Sequence, residues 1–273
     1  MDFYYFIDPE NWEWITAGSN FTFLVEGFLV NIELAIVSMI LSLIFGLLLA
    51  LGRVSRNRVI SATASAWIDI WRNLPLVLIL LYFFIALPEP IKTGYESVVP
   101  SFFPSAFKEP QIVAAVLGLT IYNSAVIGEI FRTGIQSLER GQGEAAAALG
   151  MTRWQSMRVV ILPQGLRRMV PATVSQLITL TKDTSLVSIL AIQEAIRHGR
   201  IVVNTSGSPF VGLGVEAPLL HVFIVVGAMF VVFNLALSRL SKRLEIRERK
   251  RTGTTVERVT GLEDQVAAEA DVA

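Results

Sequence analysis

Leu34 to Leu51 is an uncharged, almost wholly apolar run, and Arg53, Arg56 and Arg58 follow it at once. At about 1.5 Å of helix rise per residue, it is about long enough to cross a hydrocarbon core of about 30 Å. The positive-inside rule puts those arginines in the cytoplasm and the preceding residues outside. Met1 to Gly52 contains no Lys or Arg, so the positive region that opens a secretory signal peptide is missing. Composition agrees with a membrane chain: 17% of residues are charged and 53% hydrophobic, against about 25% charged in a soluble domain.

Four more apolar stretches follow, at Ala66–Leu87, Ile112–Gly128, Met169–Thr181 and Pro218–Leu237. The first is interrupted by Asp69 and Arg72, and the last carries His221 and Asn234. Between Gly128 and Met169 stand Arg132, Arg140, Arg153, Arg158, Arg167 and Arg168, and after Leu237 come Arg239, Lys242, Arg243, Arg247, Arg249, Lys250 and Arg251. Pro88–Glu109 has no such bias. The alternation predicts an all-α membrane protein of about five transmembrane helices, with its N-terminus outside and its C-terminus cytoplasmic. Glu194–Glu216 fits least well, because this external loop carries Arg197, His198 and Arg200. Residues 1–23 read as an aromatic interfacial segment, 24–245 as the membrane domain, and 246–273 as a basic, then acidic, disordered cytoplasmic tail.

Much chemistry is excluded. With no cysteine there is no disulfide, thiolate nucleophile or Cys-based metal site, and two separated histidines, His198 and His221, do not suggest a metal centre. No Gly is followed by Lys, so the chain holds no GxxxxGK[ST] phosphate loop, and HExxH, GxSxG and CxxC are also missing. No catalytic residue, resident cofactor or nucleic-acid partner is expected. Energy for any pumped transport must come from another chain.

The segment joining the third and fourth stretches, about 133–165, is too long for a passive turn. Glu144–Leu149 is a strong helix-forming run, with Glu144 expected in its first turn near the positive helix end. Gly150 can end that helix at positive φ, Thr152 can cap a second short helix, and Pro163 can end that one and open the next span. Two short cytoplasmic helices suit docking on a partner; a surface hairpin with no partner is the plainer reading.

Gly143, Glu144-Ala145-Ala146, Gly150 and Leu162-Pro163 resemble the EAA loop of ABC-transporter permeases, with Val160 where that pattern has Ile. Arg72-Asn73-Leu74-Pro75-Leu76, Glu129–Ile135 and Lys182-Asp183-Thr184-Ser185-Leu186 resemble elements of the polar amino-acid branch, with a weak cue toward its glutamate/aspartate members. The resemblance runs from about Phe28 to Lys242. It implies a permease subunit in a bacterial plasma membrane, paired with a second copy or a paralogue. It also implies a cytoplasmic ATPase dimer that binds ATP and magnesium and receives the EAA loop, and an extracytoplasmic solute-binding protein that delivers an amino acid. An ion-coupled secondary transporter or a channel is the alternative.

Charges at bilayer depth are costly and suggest function. Asp69 with Arg72, and Glu129 with Arg132, stand i,i+3 and can neutralise each other within one helix. Pro75 disfavours an α conformation at Leu74, so Asn73 and Leu74 sit at a break that either lines a pocket or is an ordinary kink. Thr173, Gln176, Thr179 and Asp183 share one helix face, with Lys182 about 100° round from Asp183. This stripe is either glue between helices or the wall of a substrate site, which is where the resemblance places it. There Lys182 and Asp183 would complement an amino-acid zwitterion. Gln176, neutral and about two turns away, adds no charge to favour a cationic side chain, which tilts preference toward acidic or amide side chains over arginine or lysine.

Overall fold

The computed structural model describes residues 4–91, 94, 109, 111–206 and 217–252. Every regular element among them is helical. A short helix α1 (Tyr4–Ile7) and a 3-10 turn (Pro9–Ile15) lead into the long α2 (Asn20–Arg53). Then come α3 (Arg58–Asn73), α4 (Leu76–Ala86) and α5 (Gln111–Gln136). The hairpin helices α6 (Arg140–Ala148) and α7 (Arg153–Gln155) precede a π-helical turn (Ser156–Ile161) and α8 (Leu162–Asp183). A 3-10 stretch (Thr184–Leu190), α9 (Ala195–Ser206) and α10 (Leu219–Thr252) complete the described chain.

The sequence explains the central place of α5. Its small and apolar residues, from Ala114 and Ala115 through Gly118 to Gly128, let neighbours approach on several sides, and it packs against α2, α3, α4 and α8. At the crossing with α2, a Cβ on Gly46 would stand 2.6 Å from Ile127 Cγ2 and 3.1 Å from the Gly128 nitrogen. Close backbone approach of this kind is how helices associate where no hydrophobic force drives them together. Leu34, Leu80, Ile112, Leu119, Ile127 and Leu180 form the fully buried centre. The opposite face of α2, with Ile36, Ile40, Ile44 and Leu48 at a spacing of four, is exposed, as a lipid-facing stripe would be.

A second cluster joins the first half of α2 to α9 and α10, and Trp14 is fully buried in it against Leu24, Val202 and Val222. Tyr5 and Trp12 meet His221 edge to face. Part of the aromatic N-terminal segment is therefore held by protein. The first long apolar helix, α2, begins at Asn20, and α10 runs to Thr252. The basic stretch expected to open the tail is thus helical to that point. Residues 253–273, the inter-helix stretch around Thr93 and most of the Glu194–Glu216 loop beyond α9 lie outside the described residues.

Among the described residues, three helices are long and apolar enough to cross a membrane: Asn20–Arg53, Gln111–Gln136 and Leu219–Glu248. The second apolar stretch is not one straight helix, because α3 and α4 are bent by 102° at Asn73–Leu76 and count as a span only together. Leu74 and Pro75 are extended there, at ψ 141° and 128°. The break expected at Leu74 exists because Pro75 offers no N–H and crowds the residue before it. The fourth stretch falls in α8, whose arginines and threonines leave it less apolar than the other three, and it packs between α5 and α10.

Candidate functional site

The hairpin between α5 and α8 is built by local rules. In α6 the helix starts at Arg140, four residues before Glu144, so Glu144 sits in mid-helix and not in the first turn. Gly150 ends the helix at φ +77°. The Gly150 N–H reaches the Ala147 carbonyl at 2.9 Å and the Met151 N–H reaches Ala146 at 3.1 Å, a Schellman cap with glycine in the left-handed position. Thr152 then caps α7 through a capping box with Gln155. Pro163 does not end the second helix as expected. The chain winds through the π turn and continues into α8 without a break. Widened turns of this kind leave room for a residue that cannot donate an N–H.

The hairpin is rooted on one side and bare on the other. Ala146 is buried, and Arg168 Nη1 donates to the Ser137 carbonyl at 2.9 Å. Below it α5 and α8 cross at Gly134 and Gly165: a Cβ on Gly165 would stand 3.2 Å from the Gly134 carbonyl carbon and from Ile135 Cα. Leu149 is 78% exposed and Trp154 64%. Apolar tips on a braced hairpin are the pattern of a docking surface.

The α8 stripe divides into two parts. Thr173 and Thr179 donate to carbonyls of their own helix, those of Met169 and Ser175. Gln176 Nε2 donates to Oδ1 of the fully buried Asn123 on α5 at 2.8 Å, so its amide ties two helices together. Lys182 and Asp183, at the end of the stripe, make no side-chain hydrogen bond or ion pair among the described residues. Lys182 lines a cavity of about 290 Å³ with Phe230, Val231, Asn234 and Leu235 of α10. Asp183 is not among its lining residues, and Asn234 Oδ1 is buried without a hydrogen-bond partner. Asn73 turns its amide onto the Asp69 carbonyl at 2.7 Å and does not hydrogen-bond to the stripe.

The intramembrane charges pair differently from the i,i+3 expectation at one of the two sites. Glu129 and Arg132 do pair, at 2.6 Å. Asp69 pairs instead with Arg53 of α2 at 3.3 Å, and the same guanidinium reaches Glu129 at 2.8 Å. Arg53 thus joins α2, α3 and α5 at one end of the bundle. Sequence spacing carries no signal for such a long-range partner. It also carries none for the Gly134–Gly165 crossing. Asn234 was visible as a lone amide in an apolar run.

A helical membrane bundle with a braced, exposed hairpin, and with Lys182 and Asn234 at the edge of an otherwise apolar, open cavity beside its fourth apolar stretch, fits a transport subunit. Residues 42–250 match the family described as binding-protein-dependent transport system inner membrane component, and the chain belongs to that family. It is 37% identical over 228 residues to the Bacillus subtilis protein named probable glutamine ABC transporter permease protein GlnP, covering 83% of this chain and 94% of that one. It is 31% identical to the Escherichia coli glutamate/aspartate import permease protein GltK, covering 83% and 92%. Among solved structures, one titled an amino acid ABC transporter with histidines superposes with a TM-score of 0.65 at 27% identity, over 83% of this chain and 94% of that chain. The inward-facing MetNI methionine transporter shares the fold, with a TM-score of 0.56 at 19% identity. The chain is accordingly a non-catalytic, multi-pass permease subunit of an ABC importer in the bacterial inner membrane, and ATP hydrolysis belongs to a separate subunit.

Proposed function

We propose that this permease carries polar amino acids of the glutamine, glutamate and aspartate class, driven by a cytoplasmic ATPase dimer and fed by a solute-binding protein. Those names describe relatives that match more than nine-tenths of their own length to this chain. Five spans, an external N-terminus and a second copy or paralogue complete the arrangement.

The observation that carries the reading is Lys182 and Asp183, charged and without side-chain partners at the end of α8, with the Lys182 side chain at a 290 Å³ cavity. A zwitterion leaving water needs an opposite charge or a good hydrogen bond at each end. Lys182 takes a carboxylate, Asp183 the ammonium, and Asn234 supplies an amide that can donate to a carboxylate or accept from an amide. Thr179 stands one turn before Asp183 on the same helix, while Gln176 is held by Asn123, and Asn73 and Leu74 stand at the α3–α4 break outside the lining of the Lys182 cavity. At the other end, Gly143, Glu144, Ala145, Ala146, Gly150, Leu162 and Pro163 build the hairpin that seats on the ATPase, with Leu149 and Trp154 at its exposed tip. ATP and magnesium stay on the partner.

The test uses the permease–ATPase complex and radiolabelled L-glutamine and L-glutamate. Asp183→Asn is expected to weaken binding about tenfold or more, with complex recovery unchanged. Lower recovery with unchanged affinity in the surviving complex would mean that Asp183 is structural.

A further inference from the structure

Asn31 lies toward the end of α2 opposite Arg53 and is fully buried. Both ends of its amide are used. Nδ2 donates to Thr184 Oγ1 and to Glu194 Oε2, each at 3.2 Å, and Oδ1 accepts from the Ala195 N–H at 3.0 Å. Glu194 is also fully buried, and its Oε1 accepts the Arg197 N–H at 2.8 Å, capping α9. Thr184 is buried as well and donates to the Thr181 carbonyl at 2.7 Å.

These contacts lie at the two ends of one excursion of the chain. Thr184 directly follows Lys182 and Asp183. The 3-10 stretch then runs to Leu190, Ala191 turns it at φ +62°, and Glu194 brings it back to α2. An alanine in the left-handed region is uncommon and persists where its surroundings fix it. A Cβ on Gly27 would stand 2.7 Å from the His198 ring and 3.0 Å from the Glu194 carbonyl carbon, so α9 sits close against α2 at this point. A fully buried polar network with every member satisfied is rigid, and leaving one member unpaired is expensive.

We propose that Asn31 is a positioning residue for the substrate site, which by joining Thr184 to Glu194 and to the start of α9 fixes where Lys182 and Asp183 stand. The proposal rests on the placement of substrate at Lys182 and Asp183 given above. Asn31 itself hydrogen-bonds to neither of them; it acts through the residue that follows them.

A donor–acceptor exchange tests it. Asn31→Asp sets two carboxylates against each other in place of the Asn31–Glu194 bond. Adding Glu194→Gln restores a donor on the other side, while the acceptors for the Ala195 and Arg197 N–H groups are kept. The Thr184 hydroxyl can turn its proton from the Thr181 carbonyl to the carboxylate that Asn31→Asp introduces. In the purified permease–ATPase complex, with radiolabelled L-glutamine and L-glutamate as probes, Asn31→Asp should weaken binding about tenfold, and the double variant should return to within about threefold of the native protein. Binding by Asn31→Asp within about twofold of native, or a double variant that binds no better than Asn31→Asp, overturns the proposal. If Asn31→Asp yields no complex, Thr184→Val decides: it keeps the shape and removes the hydroxyl. Weaker binding at full recovery supports positioning, and unchanged affinity in the recovered complex overturns it. Asp183→Asn in the same assay separates the two claims. If it binds as native, the site assignment fails; if it weakens binding and Asn31→Asp does not, only the positioning role fails.

Discussion

Replacing Gly150 isolates backbone conformation from packing. Its φ of +77° lies where a side chain is disfavoured, yet a Cβ built there meets nothing within 4 Å. The cost is therefore conformational. A left-handed residue other than glycine costs about 1–2 kcal/mol, and a β-branched one stands at the upper end, while asparagine tolerates the region best. One or two kcal/mol changes a two-state ratio by a factor of about 5–30. The bent hairpin should lose population in that range in Gly150→Val, less in Gly150→Ala, and least in Gly150→Asn. The membrane part, which shares no packing with that Cβ, should stay folded. In proteoliposomes holding the permease, its ATPase and the binding protein, amino acid transported per ATP hydrolysed should fall in the order Asn, Ala, Val. A well-expressed Gly150→Val complex with native uptake and native stimulated hydrolysis would refute the claim that the left-handed bend transmits the stroke.

Gly134→Val should act differently, through space. A Cβ there would stand 2.2 Å from Met169 Cγ and 2.8 Å from the Gly165 carbonyl oxygen; the methionine can move, but the backbone cannot. A loss of about 1–3 kcal/mol should appear as a lower melting temperature of the purified complex, and an unchanged one would contradict the crossing. His198, outside the three apolar spans, stacks on Phe23, and burial pushes its pKa below 6.5, against opposing effects from its hydrogen bond to the Phe23 carbonyl and from Glu26. A histidine with a depressed folded-state pKa takes up its proton more readily when unfolded. This part of the stability is thus full above pH 6.5 and lost as pH falls from there toward the folded-state value. The melting temperature should decline over that interval, and less steeply in His198→Gln; identical pH profiles for the two proteins would count against it.

What could be read from the chain alone was local. The extended break at Leu74 follows from Pro75, and the bend at Gly150 and the cap at Thr152 follow from residues one to three positions away. Glu144 was misplaced in the first turn because alanine propensity marks the body of α6 and not its start at Arg140. Pro163 was expected to break a helix that a π turn keeps whole. What the sequence could not supply was distance. Nothing near Asp69 shows that its partner is Arg53, or that Asn31 meets Glu194 across 163 positions. Gln176 looked like pocket wall by its spacing, but its amide is bound to Asn123 by the packing of α8 on α5. The spans divide in the same way. An uncharged run such as Leu34–Leu51 is long enough to stand alone, whereas Met169–Thr181, counted among the five stretches, is the apolar part of an amphipathic helix packed between two others.

The central claim is that the 290 Å³ cavity and the hairpin belong to one ATP-driven amino-acid path. The most direct measurement is uptake of radiolabelled L-glutamine and L-glutamate into proteoliposomes that contain the permease, its ATPase and the binding protein, with magnesium ATP enclosed or omitted and with ion gradients collapsed by ionophores. Uptake that requires ATP and the ATPase subunit and survives the ionophores is the predicted result. Uptake by the permease without any ATPase, abolished when the ion gradient is collapsed, would contradict it.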